Sequence, residues 1–428
     1  MAQTSPTPSA VVIIGAGQAG FQTALSLREN DYRGSVTIVG DEAELPYQRP
    51  PLSKGYLAGE AADAESATLT LRPRSFYQRH GLHLIQDFAV AIDRARSVIG
   101  LGSGREIRYG HLVLATGARA RTVPVPGAEL PNVLTLRTRA DADTLRARLA
   151  PGRRVVIIGG GLIGMEVTAA ARTAGAEVAV VEMLDRVMAR ATAPEISDYV
   201  TAIHRHNGTR VLLGRSMVAV QPGTGESCVV GLTGGQSLPA DTVVVGIGVA
   251  PNTELASQAD LEVDDGIVVD ARLLTSDPAI SAIGDCAAHP NLHAGHRTRL
   301  ESVQNAVDHA RHVADRITGG SPGPYAKVPW FWTRQFNMRI QTAGIARPDD
   351  IRVVHGDPSG GRFSVFRFHR DRLVAVESVN RTADHVAARR LLANGRLLDP
   401  DIAVQPIGPD VIAQPGFDLK AFVSRVSE

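Results

Sequence analysis

Four consecutive β-branched residues, Val11 to Ile14, run directly into Gly15-Ala-Gly17-Gln-Ala-Gly20. A short unbroken apolar run of this kind reads as a strand buried on both faces. The glycines then turn the chain into a helix over Phe21 to Glu29, and a second strand follows at Val36 to Val39. The pattern recurs 144 residues later, counting from Gly15 to Gly159 (159 − 15). There a strand over Arg153 to Ile158 meets Gly159-Gly-Gly161-Leu-Ile163-Gly164, a helix over Leu162 to Ala174, and a strand from Glu177 to Val181 ending on Glu182. Two parallel βαβ units predict an α/β protein with two Rossmann-like domains.

Between and after these units the pattern is more varied. Residues 61 to 75 are polar and irregular, and Ser75 to His80 reads as a short helix. Residues 83 to 109 and 209 to 250 read as strands and turns. Leu112 to Ala115 and Ser281 to Ile283 are short buried strands, and 286 to 299 reads as a loop. Helices are expected over Arg139 to Leu149 and Ser302 to Thr318. Gly319 to Pro324 is a linker signal. Beyond it, Ile340 to Ala343, Arg352 to His355, Phe363 to His369 and Leu373 to Val379 predict an antiparallel sheet, with helices over Thr382 to Asn394 and Asp418 to Ser427. The expected domains are 1–118 and 246–325 (first nucleotide domain, in two parts), 119–245 (second), and 326–428, a C-terminal α+β domain.

The glycine spacing carries a mechanism. Gly15 permits the tight turn, Gly17 lets the backbone approach a pyrophosphate, and Gly20 lets the helix pack close to its strand. The helix N-terminus presents free N–H groups and a partial positive charge to the phosphates. Gly159, Gly161 and Gly164 repeat these roles. An acid at the end of the second strand is expected to hold a ribose hydroxyl. Glu182 stands there, 21 residues past Gly161 (182 − 161). Its charge favours NADH over a 2′-phosphorylated cofactor, although Arg186 and Arg190 are close in sequence. In the first unit the strand ends on Gly40, so Asp41 takes the role one place later. Pro46 to Lys54, with three prolines, reads as a stiff extended loop that positions Arg49 and Lys54. Asp285 is expected at the C-terminal end of the Ser281–Ile283 strand, where open α/β sheets bind ligands.

Charge and composition narrow the function. A net charge of +1 and a sequence pI near 7.9 give no global argument for nucleic acid. No apolar run reaches the ~20 residues of a membrane span, and the N-terminal tail has no basic n-region, so a soluble cytoplasmic protein is expected. Two cysteines, Cys228 and Cys286, cannot form a disulfide framework or a C-x-x-C redox pair, and read as buried inert thiols. His289, His293 and His296 fall within eight residues, but no carboxylate or cysteine completes a ligand set, so no metal is expected. His204 and His206 read as surface residues after a helix.

Several longer words carry a family resemblance: GAGQAG (15–20), PYQRPPLSK (46–54), LATGA (114–118), GGGLIGMEV (159–167), GIGVAPN (246–252), AIGDCA (282–287), ESVQNA (301–306) and PWFW (329–332). The glycine words belong to two-dinucleotide flavoproteins of the glutathione-reductase-like fold. PPLSK, ESVQNA and PWFW are more specific. With them the whole chain resembles the NADH-dependent, FAD-containing reductases that serve [2Fe-2S] ferredoxins of cytochrome P450 and other oxygenase systems. The resemblance implies FAD at the first unit and NAD at the second. It implies cofactor contacts at Ala19, Asp41, Arg49, Lys54, Thr116, Gly117, Arg137, Ile163, Gly248, Gly284, Asp285 and the backbone of Val303. It implies catalytic roles for Lys54 near the flavin N5 side, Glu166 and Glu301 beside the nicotinamide, and Trp332, with Trp330 next to it, as a wall of the flavin site. Where the family often reads W-S-D-Q, this chain has Trp332-Thr333-Arg334-Gln335, which reverses a charge near a possible partner surface.

The implied reaction moves a hydride from NADH to flavin and passes electrons singly to a ferredoxin, docked by a local basic patch in which Arg311, Arg334 and Arg339 are candidates. Two alternatives remain open at this point. One is an NADH oxidase or quinone reductase without a protein acceptor. The other is a binding flavoprotein like apoptosis-inducing factor, whose shape responds to NADH. Thiol chemistry is disfavoured because Leu45 to Lys54 holds no cysteine.

Overall fold

The computed structural model describes residues 7–59, 69–370, 372–397, 407–414 and 416–426. Of the irregular stretch 61–75, residues 61–68 lie outside the described residues, as does Ser427 of the last expected helix. The described chain divides into two compact units. One comprises residues 7–48, 69–119 and 250–331; the other comprises 49–59, 120–249 and the chain from 332 onward.

The first unit is built on a five-stranded parallel sheet in the order Ile280–Ala282, His111–Leu114, Ala10–Ile14, Ser35–Gly40, Leu82–Gln86. Val11 to Ile14 lie at its centre, paired on both sides and buried, as a β-branched run should be. The helix Gln18–Glu29 packs against the helix Val303–Ile317. Placing the short strand Ile280–Ala282 beside His111–Leu114 brings Asp285 to the C-terminal end of the sheet, as expected.

The second unit repeats the plan. Its parallel sheet runs Arg210–Leu213, Glu177–Glu182, Arg154–Ile158, Thr242–Val245, Val133–Leu134. A C-terminal antiparallel sheet follows in the order Trp330–Gln335, Met338–Gly344, Arg372–Val379, Arg362–His369, Ile351–Asp357. The helix Thr382–Leu397 packs on it. No helix among the described residues is long and apolar enough to cross a membrane.

Three expectations are corrected, and one strand is added to those expected. Residues 46–54 are not extended throughout: Pro50–Ser53 forms a 3₁₀ turn that leads into the helix Gly55–Ala58. Proline is tolerated in a first helical turn because its missing N–H would have no partner there. The segment 286–299 is not a loop but a hairpin, Ala287–Asn291 against His296–Arg299. Its histidines and Pro290 mask the strand pattern. Trp330–Gln335 is a strand whose alternation is visible from Thr333 onward, where 333 and 335 are buried and 334 is exposed. His204 is not a surface residue after a helix; it lies inside the helix Pro194–His206 and is fully buried.

Candidate functional site

The two glycine loops have the same backbone logic. Gly15 and Gly159 take φ of +114° and +103°, values that a side chain would strain. A methyl group at Gly20 would stand 1.9 Å from the Gly15 carbonyl oxygen, and one at Gly164 would stand 2.0 Å from that of Gly159. Packing alone therefore demands these four glycines. The middle ones differ. A methyl at Gly17 would meet no atom within 4 Å, and one at Gly161 would meet only Gly246 O, at 4.0 Å. The open sides of Gly17 and Gly161, each at a helix N-terminus, fit the close approach of a pyrophosphate.

The rims of the loops hold the acids. Asp41 is exposed just past the strand Ser35–Gly40. Gly40 has a reason to be glycine: a side chain there would collide with Ala16 Cβ at 2.5 Å. In the second unit the loop carries Gly160 instead of alanine, and Glu182 fits. Glu182 accepts hydrogen bonds from the N–H groups of Gly160 at 2.6 Å and Leu184 at 2.8 Å, which fix its carboxylate at the strand end. Arg186 is committed elsewhere, donating to Thr192 O, Ala189 O and Ser197 Oγ. Ile163 is exposed at the start of the helix Leu162–Thr173, beside the open Gly161. Gly248, at φ +101°, accepts from the Arg121 N–H through its carbonyl.

The remaining first-unit residues gather around the end of its sheet. Gly284 opens a 3₁₀ turn that carries Asp285. Its φ is +72°, and its N–H donates to Nδ1 of the buried His309 at 3.2 Å. A methyl at Gly284 would come within 3.1 Å of Ala19 Cβ, so both positions must stay small. Thr116 Oγ1 donates to Asn252 O, and Asn252 Nδ2 returns a bond to Thr116 O, pinning the Thr116–Gly117 turn. Val303 begins a helix capped by Ser302, whose hydroxyl accepts from the Asn305 N–H at 3.1 Å. Glu301 is exposed and paired with Arg299 at 2.5 Å, and Arg299 also donates to Asp285 O.

The second unit brings Lys54 and Glu166 together. Glu166 is buried in the helix Leu162–Thr173. Lys54 Nζ donates to its Oε2 at 2.7 Å, Ser53 Oγ donates to the same oxygen, and Thr333 Oγ1 donates to Oε1 at 2.6 Å. Arg49 donates to the carbonyl oxygen of Arg137 at 2.9 Å, and the Arg137 N–H donates to Asp141. Trp332 is half-buried on the strand that carries Thr333. Ser53, Thr333 and Asn252 are the partners that sequence reasoning did not assign. Their signal was present, since each sits inside or beside a word quoted for the resemblance.

Both cysteines are buried, and burial raises both thiols above their ordinary range. Neither is an accessible thiolate. Of the three clustered histidines, His289 packs against His309 and Tyr325. The one candidate metal group among the described residues is elsewhere, at Asp349, Asp350 and His369. There Asp350 already accepts from the Arg347 N–H and hydrogen-bonds the His369 ring, so both of its oxygens have protein partners.

Comparison with known proteins agrees with this geometry. A family described as pyridine nucleotide-disulphide oxidoreductase matches residues 9–310, and one described as reductase C-terminal matches 330–423. The chain is 46% identical over 416 residues to rhodocoxin reductase of Rhodococcus erythropolis, covering 97% of this chain and 94% of that one. Among solved structures it superposes with TM-score 0.90 on the ferredoxin reductase for the CYP199A2 system from Rhodopseudomonas palustris, at 45% identity over 97% of this chain and all of that one. It also superposes with TM-score 0.91 on a chain of the covalent putidaredoxin reductase–putidaredoxin complex, at 36% identity over 98% and 99% of the two chains.

Proposed function

We infer that this chain, which belongs to the pyridine nucleotide-disulphide oxidoreductase family, takes a hydride from NADH and passes single electrons to a [2Fe-2S] ferredoxin that feeds a cytochrome P450 or other oxygenase. The observation that carries this reading is the pair of glycine cradles, each with one glycine open to a pyrophosphate, in a protein whose two cysteines are both buried. Two dinucleotide sites without an accessible thiol suit electron transfer from one cofactor through another, and do not suit disulfide reduction. The acceptor class comes from the relatives, which are named for rhodocoxin, putidaredoxin and a P450 system.

Bound FAD would supply the step from a two-electron donor to a one-electron acceptor; the chain supplies binding, orientation and charge. The N–H groups at Gly17 and the helix Gln18–Glu29 would hold the FAD pyrophosphate, and Asp41 and Asp285 its ribose and ribityl hydroxyls. Gly161, the helix Leu162–Thr173 and Glu182 would do the same for NADH. Lys54, Glu166 and Trp332 in the second unit, and Glu301 in the first, are assigned the catalytic roles that the resemblance implies. NADH is favoured over NADPH because Glu182 is held in place by two backbone N–H groups, while Arg186 is spent on carbonyl and hydroxyl partners and does not offer a 2′-phosphate its guanidinium. The reading places the reaction in the cytoplasm, where NADH is supplied.

The test is NADH-driven cytochrome c reduction with and without added [2Fe-2S] ferredoxin, repeated with NADPH. A large ferredoxin stimulation that weakens with salt is expected. Steady oxygen or quinone turnover with no stimulation by several ferredoxins would replace this reading with that of an oxidase or quinone reductase.

A further inference from the structure

Glu166 is the end of a longer chain of buried polar groups. Thr333 Oγ1 bonds Glu166 Oε1 at 2.6 Å, Gln335 Nε2 bonds Thr333 Oγ1 at 3.2 Å, and His204 Nε2 bonds Gln335 Oε1 at 3.0 Å. All four residues are at most 3% exposed. They come from three separated stretches of sequence: the helix Leu162–Thr173, the helix Pro194–His206 and the strand Trp330–Gln335.

Elementary hydrogen-bond chemistry gives this chain one direction. Paired with the Lys54 ammonium, the Glu166 carboxylate can only accept. The Thr333 hydroxyl must then donate its single proton to Glu166, which leaves its lone pairs to accept from the Gln335 amide nitrogen. That fixes the Gln335 amide with its oxygen toward His204, and Nε2 of His204 must carry a proton to meet it. Gln335 Nε2 also points at Met188 Sδ, 3.5 Å away, which suits an N–H and not a carbonyl. His204 Nδ1 is buried without a partner, consistent with a neutral ring protonated on Nε2 alone. Burial lowers the His204 pKa to about 4, so the ring stays neutral near pH 7.

We propose that Thr333, Gln335 and His204 are positioning residues for the reaction with NADH: a one-way hydrogen-bond chain that holds the Glu166 carboxylate in place and aimed at Lys54. The inference rests on the reading above that Lys54 and Glu166 belong to the hydride-transfer site. The chain has a built-in failure mode. Without the proton on His204 Nε2, Gln335 is free to turn over and present its oxygen to Thr333. The threonine proton then has two acceptors, and Glu166 loses its exclusive donor. Lys54 is the charged side chain bonded to Glu166 among the described residues, with Ser53 and Thr333 as its neutral donors. Losing one of two neutral donors therefore weakens the hold on the ionised form substantially.

The experiment is stopped-flow reduction of the FAD-bound enzyme by NADH between about pH 5.5 and 8.5, for the wild type, T333V, T333S, H204L and H204Q. In T333V the acid limb of the rate profile moves toward neutrality, with a loss of about threefold near pH 5.5 and little change near pH 8. T333S, which restores a hydroxyl, restores the profile. H204L shifts it in the same direction, and H204Q, which keeps a donor, does not. A second readout is independent of turnover: ¹⁵N shifts of the His204 imidazole in the holoenzyme should show a neutral ring protonated on Nε2. A wild-type pH profile in T333V, or an Nδ1-protonated or doubly protonated His204, overturns the inference. Failure of NADH to reduce the wild-type flavin at all would instead overturn the functional reading on which it rests.

Discussion

A single methyl group decides where each glycine loop keeps its acid. In the first unit Ala16 occupies the middle of Gly15-Ala16-Gly17, and the facing strand end must be Gly40, because any side chain would strike Ala16 Cβ at 2.5 Å. In the second unit Gly160 leaves that room, and Glu182 fills it. A methyl at Gly160 would stand 3.2 Å from the Glu182 carboxylate and 3.1 Å from Val187. Gly160→Ala should therefore push Glu182 off the two N–H groups that fix it and raise the KM for NADH several-fold, while kcat at saturation changes less. Glu182→Gln keeps an acceptor for one of those N–H groups but removes the charge that repels a 2′-phosphate. The kcat/KM ratio of NADH to NADPH should fall about tenfold, equivalent to ~1.4 kcal/mol. An unchanged ratio would mean that the preference is set elsewhere, with the exposed Arg190 and Arg215 as the next residues to vary. The position of Glu182 was legible from spacing alone. The offset of Asp41 was legible too, but its cause was not, because it depends on a contact between residues 16 and 40 that no periodicity encodes.

At the scale of elements, what holds each nucleotide unit together is the closeness of its first helix to its first strand. Gly164 lets the helix Leu162–Thr173 lie against the turn at Gly159 and against Ile157, whose Cγ2 would be 3.4 Å from an added methyl. Gly164→Ala must displace the helix or the turn, because the atom it strikes at 2.0 Å is backbone. A destabilisation of about 1–3 kcal/mol is expected. Since every residue involved lies in the second unit, the variant should keep its FAD but bind NADH weakly; flavin absorbance after gel filtration and the KM for NADH measure the two separately. Loss of FAD with normal NADH affinity would contradict the assignment of the cofactors to the two loops. Ser302 offers a milder probe in the first unit. Ser302→Ala removes the cap on the Asn305 N–H and should cost about 1 kcal/mol, read as a lower denaturation midpoint with the slope unchanged. The parallel strands and their helices were readable because runs such as Val11 to Ile14 are long and apolar. The hairpin Ala287–Asn291/His296–Arg299 and the turn Pro50–Ser53 were not, because histidine and proline carry loop signals that tertiary pairing overrides. The buried chain from His204 to Glu166 was invisible for a different reason. Its members come from three separate segments, and a polar residue in an amphipathic helix reads as surface until something packs over it.

Across the whole molecule, histidines buried in their neutral form link stability to pH. His111 in the first unit is held to about 3 by burial and by Arg316, whose guanidinium shares Ser281 with it. His289 in the same unit and His204 in the second are both held to about 4 by burial. Each is almost wholly buried. In the unfolded chain a histidine takes up a proton near pH 6.5, whereas in the folded chain these three do not until far lower. Between those limits the unfolded state binds more protons, so stability falls as the pH falls. The contribution is intact above about pH 6.5 and is lost progressively down to about pH 4 for His204 and His289 and about pH 3 for His111. At pH 5 it amounts to about 2 kcal/mol per residue. Because both units carry such a residue, neither escapes. Thermal unfolding followed by circular dichroism should show Tm falling by roughly 5–10 °C between pH 7 and 5, before most carboxylates titrate. Replacing His111 by Gln removes one proton acceptor and should lessen the slope even if it lowers the absolute Tm, while His309, His312 and His385, which burial also lowers, keep their share of it. A Tm independent of pH over that interval would mean that these rings take up protons in the folded state as readily as in the unfolded one. The tautomer assigned to His204 would then fall with it, since that assignment needs a ring that stays neutral.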